Sequence, residues 1–210
     1  AGRDAPGPGV MLSPTTKTKL TVNDTLTTAT ILKFYREMTA LIRQVDPNHL
    51  ITSGDAGPRP TSVSLRENFP KAVWTQDTLR QNLASLLSSQ PEPLDLISIH
   101  HYGSLTENDE RENIGTASSL EALRCRIRCI HAARSPAFIG ELGNTKPTLQ
   151  DDREGEYVRA AIDVIEAEGA SLAAIWVWHF PLQPIHNVTA DSHPALLKRV
   201  AEFNAKHSVP

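Results

Sequence analysis

Residues 136–144 read PAFIGELGN, and the fold turns on whether this apolar run ending in a carboxylate is a strand. Phe138 and Ile139 are bounded by Pro136 on one side and by Gly140 and Gly143 on the other, which predicts a short buried strand. Glu141 stands where that strand should surface. A glutamate there is either a solvated first loop residue or a group held at a site. Acidic residues are mostly exposed, so the fragment by itself favours solvent.

Working outward, the same unit recurs along the chain. Ile31, Phe34, Tyr35, Met38, Leu41, Ile42 and Val45 fall at three- and four-residue intervals from Thr28 onward, the spacing of an amphipathic helix. DPN at 46–48 ends it, and HLITSG at 49–54 predicts a short strand that delivers the chain to the Pro-rich loop DAGPRPTS. Leu79, Leu83, Leu86 and Leu87 mark a second helix, QPEP breaks it, and LDLISIH at 94–100 is the next strand. Leu120, Leu123, Ile127 and Ile130 mark a third helix before AFIGE. Tyr157, Ala161, Val164 and Ile165 mark a fourth, stopped by Gly169, before the strand LAAIWVW at 172–178. A last helix runs from about Pro194 to Phe203. Residues 1–26 are rich in Gly, Pro and Thr without sustained periodicity and read as a loop or tail.

Apolar strands alternating with helices imply an α/β fold with a parallel sheet covered by helices, either open or closed into a barrel. In both forms chemistry gathers at the C-terminal ends of the strands. Those ends carry SGD, HHYG, ELGN and WHF here. Glu, three His, Tyr and Trp in such places are harder to dismiss together than singly, and the solvent reading of Glu141 weakens.

Composition narrows the rest. At 210 residues, 40% of them hydrophobic, the chain can bury one real core, and a single domain is the default. With 24 acidic against 21 basic residues, a net charge of -3 and no basic block, nothing asks for nucleic acid. No apolar run approaches the roughly 18 residues of a membrane span, and the first residues lack the pattern of a signal peptide. Cys125 and Cys129, four apart on one predicted helix, suit neither a disulfide nor a zinc site and read as buried or half-buried thiols. Asn23 and Asn187 open Asn-X-Thr triplets, a pattern too short to carry weight.

Taken in order, IRQVDPNHLITSG, DLISIHHYG, FIGELG and IWVW resemble the second half of the cellulase-like (β/α)8 barrels, glycoside hydrolase family five and its clan, over roughly residues 28–206. The resemblance implies a (β/α)8 TIM-barrel type of fold, with about four β/α units, the C-terminal half, in residues 27–210. It implies a retaining glycosidase acting on a β-linked polysaccharide or oligosaccharide, without cofactor or metal. The Gly-Glu of the barrel's seventh strand carries the nucleophile, matching Glu141; the His-X-Tyr of the sixth supplies its neighbours, matching His100 and Tyr102. A tryptophan ending the eighth strand floors the sugar subsite, matching Trp178; His179 beside it reads as a second substrate contact or as a residue facing solvent. An extracellular or periplasmic location rests on the resemblance alone.

Residue physics agrees with that transfer. Side chains alternate along a strand, so His100 and Tyr102 share a face while His101 points the other way as a packing residue. Sugar C–H faces pack on aromatic rings, which gives Trp178 a purpose, whereas Trp176 lies one pleat deeper and reads as barrel core. The opposed His100 and His101, with no further ligand pattern, weigh against a metal site. The acidic loop 107–113 reads as a solvated rim.

The chain departs from the family in one respect that matters. Four strands consume it, whereas a whole barrel at this spacing needs over ~300 residues, and the Asn-Glu that carries the family's acid/base occurs nowhere in it. It reads as the nucleophile half of a site, expected to meet a missing N-terminal barrel half or to associate with itself, and to be inactive alone. A catalytically silent carbohydrate-binding half-barrel is the alternative, and a metal-dependent hydrolase a more distant one.

Overall fold

The computed structural model describes residues 27–68, 71, 73–105, 118–144 and 155–207. The tail read at 1–26 and the acidic loop at 107–113 lie outside the described residues. The helical periodicities form helices where they were expected: α1 (Thr28–Val45), α3 (Leu79–Ser89), α4 (Ser119–Ala132), α5 (Glu156–Glu168) and α6 (Pro194–His207). Their starts follow from capping chemistry. Thr27 and Ser118 accept from the backbone N–H three residues on, and Thr78 with Gln81 closes a reciprocal capping box. Gly169 ends α5 in the left-handed conformation at φ 69, where a side chain would be strained. A further helix, α2 (Ser62–Glu67), begins where the segment read as loop ends; six residues are too few to display a period. It is held instead by a distant residue, since both carboxylate oxygens of buried Asp77 accept from the N–H groups of Val63 and Ser64.

Three strands, β1 (Ile97–Gly103), β2 (Ala137–Asn144) and β3 (Leu172–Ile175), form a parallel sheet in that order. The expected strand at 49–54 is reduced to one parallel bridge, Thr52 with Leu96. The reason is a substitution of partners. The buried Gln90 side-chain amide accepts from the Ser98 N–H at 2.9 Å and donates to its C=O at 2.7 Å, taking both ladder bonds that another strand would have made. Ser53 binds the same amide, Gly54 turns the chain away at φ 67, and His100 N–H then reaches the carbonyl of Ala56. Among the described residues the outcome is a three-stranded parallel α/β sheet, consistent with a partial (β/α) barrel, where four complete β/α units were expected.

The core lies between the sheet and α4 and α5, built from Ile97, Ile99, Ile139 and Leu142 against Leu123, Ile127, Ile130, Tyr157, Ala161 and Ile165. α6 is clamped to α5 from outside. Lys206, Arg199 and His207 gather on Glu166 and hold its carboxyl down at about 2, although the pairs with the exposed Lys206 and His207 contribute little each. Other faces lack cover. Phe34, Leu41 and Val45 on α1 are 56%, 53% and 84% exposed, and Leu172 on the edge strand β3 is 50% exposed. Cys125 and Cys129 are free, half-buried thiols, with burial pushing both up. No helix among the described residues is long and apolar enough to cross a membrane.

His101 is fully buried on the helix side of β1, 2.6 Å from the hydroxyl of Tyr157 on α5. Gly103 makes this possible, because a Cβ there would run into the Tyr157 ring and hydroxyl and lie 2.7 Å from Ser119 Cβ. Burial, with the Arg126 guanidinium adding to it, pushes the imidazole down to about 3. The folded chain therefore stays unprotonated where the unfolded chain, with an ordinary histidine near 6.5, takes up a proton. His101 contributes stability that is complete above about pH 6.5 and is lost as pH falls toward 3, at up to ~1.4 kcal/mol per pH unit. Urea unfolding from pH 7 to 4 should show this slope, and His101→Gln should flatten it.

Candidate active site

The carboxylate of Glu141 reaches the inner face of the sheet because β2 contains one extra residue. Ile99 pairs with Ile139, but the next residue of β1, His100, pairs with Glu141, so that Gly140 is bulged out of the ladder. Strict alternation from the buried Ile139 would turn Glu141 toward the helices. The bulge reverses the parity: Leu142 becomes the next core residue, opposite His101, and Glu141 joins His100 and Tyr102 on the other face. A Cβ on Gly140 would sit 3.0 Å from Ser98 Oγ and 3.5 Å from the His100 ring, so a residue without a side chain fits the bulge.

The three predicted side chains converge. Tyr102 Oη donates to Glu141 Oε2 at 2.5 Å, and His100 Nδ1 stands 3.2 Å from the same oxygen. Both approach one oxygen, leaving Oε1 without a hydrogen-bond partner among the described residues. Glu141 and His100 are about a quarter exposed, at 27% and 25% of their side chains, enough for a ligand to reach them. They open onto a cavity of about 150 Å³, walled by residues 56–60 and by Arg126. Glu141 does not mark the end of its strand as expected, since β2 continues to Asn144.

The loop wall and Arg126 were not singled out from the sequence. The loop is fixed by a contact remote along the chain, Asn82 Nδ2 donating to the Pro58 carbonyl at 3.1 Å, and by a local one, the Gly57 N–H donating to Asp55 Oδ1 at 2.9 Å. Arg126 carried a legible signal: it falls on the apolar stripe of α4, between Leu123 and Ile130, and is 4% exposed. A cation on the core side of a helix needs a polar surrounding.

Trp178 and His179 lie past the end of β3, both exposed, Trp178 at 62%, and neither lines the cavity. Trp176 is not the core residue that strand parity suggested. β3 stops at Ile175, and Trp176 is half-buried, its ring edge-on to Phe180 and its Nε1 donating to Gln183 at 3.3 Å. The Trp176–Val177 peptide bond is cis. Among the described residues no group of three or more His, Cys, Asp or Glu side chains is disposed to hold a metal ion.

Comparison with known proteins bears on this arrangement at the level of fold and family. Solved structures that resemble the chain include two mannanases. The hyperthermostable endo-1,4-β-D-mannanase of Thermotoga petrophila RKU-1 matches with a TM-score of 0.54 and 18% identity, over 85% of this chain and 52% of that one. An endo-β-1,4-mannanase of Thermotoga petrophila matches with a TM-score of 0.55 and 17% identity, over 87% of this chain and 42% of that one. The chain thus spans about half the length of these structures. A search of curated proteins found no match. The model of the cellulase family, glycosyl hydrolase family 5, matches residues 14–180, well over half of the chain. The chain belongs to glycosyl hydrolase family 5, the cellulase family.

Proposed function

We propose that this chain carries the nucleophile half of a retaining glycoside hydrolase that cleaves β-linked polysaccharide or oligosaccharide. The observation that carries the reading is the convergence of Tyr102 and His100 on Oε2 of Glu141. A hydrogen bond from Tyr102 to Oε2 fixes the carboxylate, and Oε1 is the attacking oxygen. In the first step Oε1 bonds to the anomeric carbon, the glycosidic bond breaks, and a general acid protonates the departing oxygen. In the second, water activated by the same acid, now a base, displaces Glu141 with net retention. Retention needs that second carboxyl about 5 to 5.5 Å from the first. Among the described residues, Glu141 is the one carboxylate lining the cavity.

The acid/base belongs, on this reading, to a preceding barrel half that packs on the exposed apolar face of α1 and pairs with the open edge at β3. Support comes from the exposure of Phe34, Leu41, Val45 and Leu172 and from the half-length coverage of the mannanase structures. β-1,4-Linked glucan and mannan are the substrates to try first, from the family and from those relatives.

Mechanism-based labelling tests the assignment. The enzyme assembled with its preceding half should be inactivated by 2-deoxy-2-fluoro-β-disaccharides of glucose or mannose bearing a dinitrophenolate leaving group, with the sugar recovered by peptide mapping on Glu141. Label on another residue would overturn the assignment. A chain that binds cello- and manno-oligosaccharides in every assembly, yet never forms the adduct, would favour the silent binding module.

Trp178 is proposed to stack on the sugar. Being 62% exposed, it supports little of the fold. Trp178→Ala should weaken oligosaccharide binding by about 1 kcal/mol while changing stability by no more than about 0.5 kcal/mol. Trp176→Ala should cost more stability, though less than the ~3 to 5 kcal/mol of a fully buried ring. Calorimetric titration and thermal melts would reveal an exchange of the two roles.

A further inference from the structure

We infer that Gly143 is a positioning residue, whose missing side chain is the seat on which the Tyr102 ring lies when it donates to Glu141. Gly143 pairs with Tyr102 in the β1–β2 ladder, two residues beyond Glu141. A Cβ built there would stand 2.6 Å from Tyr102 Cε1 and 2.9 Å from its Cδ1, well inside the closest approach that carbon atoms tolerate. Conformation is not the reason for glycine here, because Gly143 lies in regular strand without a positive φ, unlike Gly54, Gly57, Gly155 and Gly169. The demand is for space alone.

The surroundings decide which group would give way. On the far side of the same Cβ stands the Trp176 carbonyl at 3.4 Å, and that segment is tied to β2 by the Trp176 N–H to Leu142 carbonyl bond at 2.9 Å. Gly143 belongs to the ladder and the Trp176 backbone is bonded to it, whereas Tyr102 presents a side chain, half-buried and open to the cavity. A methyl group at position 143 therefore lifts the ring from the strand, and the 2.5 Å bond to Oε2, made at the ring's far end, is lost with it. Residue 143 so governs the carboxylate without touching it. The catalytic consequence rests on the glycosidase reading above; the geometric one does not.

The experiment separates the two. In the chain itself, with 13C-labelled glutamate, the Glu141 carboxyl resonance is identified by its loss in Glu141→Gln and followed in Gly143→Ala, Tyr102→Phe and the double variant. Gly143→Ala should move that resonance in the same direction as Tyr102→Phe, and the double variant should match Tyr102→Phe alone. Gly143→Ala should also lower the melting temperature, and adding Tyr102→Ala should restore part of the loss by removing the ring, a recovery readable even where Gly143→Ala folds poorly. An unmoved Glu141 resonance, additive shifts, or a melting loss indifferent to the Tyr102 ring would overturn the inference. In the assembled enzyme both single variants should lose turnover on the order of 10²-fold, the cost of one preorganised donor, with no further loss in the double. Enzyme without turnover in any form, together with the coupled resonance shifts, would sink the glycosidase reading and leave the role of Gly143 standing.

Discussion

In the assembled enzyme, Glu141→Gln should lower turnover by at least about 10⁴-fold, the scale of losing a nucleophile, while oligosaccharide binding persists. Glutamine keeps the size and planar shape of the side chain, and its carbonyl oxygen still accepts from Tyr102 Oη, now at 2.5 Å from Oε2. What it lacks is the charge that makes Oε1 a nucleophile. Turnover of aryl β-glycosides and calorimetric binding of cello- or manno-oligosaccharides should therefore part company. Equal loss of both would assign Glu141 to holding the site together, and undiminished turnover would remove it from the chemistry.

The second large effect concerns the chain by itself, which should show no glycosidase turnover above background. Its cavity contains one carboxylate among the described residues, whereas the two-carboxylate inverting and retaining mechanisms each require a pair. The exposed apolar face of α1 and the edge strand β3 favour association in solution. Mixing with a separately produced N-terminal barrel half should bring out activity that neither partner has alone, with the stoichiometry of the active species read by light scattering. Robust turnover by the purified monomer, abolished by replacing a carboxylate other than Glu141, would show that the acid/base lies within these residues after all.

Both results depend on Glu141 facing the cavity, and here sequence and tertiary structure divide the work. Periodicity alone placed α1 and α3 to α6, because each carries an apolar stripe at helical spacing, whether the stripe is buried, as in α4 and α5, or exposed, as in α1. Alternation alone put His100 and Tyr102 on one face and sent His101 to the helices, where it is buried against Tyr157. Those are properties of one segment, and one segment's residues suffice to state them. The parity of Glu141 is not such a property. Counted from Ile139 it belongs on the helix side; it reaches the cavity because Gly140 bulges at the one place where β1 skips it, a choice made by two strands jointly. The strand expected at 49–54 was lost for a like reason, its ladder bonds taken by the Gln90 amide from another part of the chain. Asp77 and the wall at 56–60 likewise owe their places to partners distant in sequence. Local periodicity determined which elements exist and which residues could act; the pairing of strands, where one inserted residue reverses every side chain beyond it, decided which of them meet.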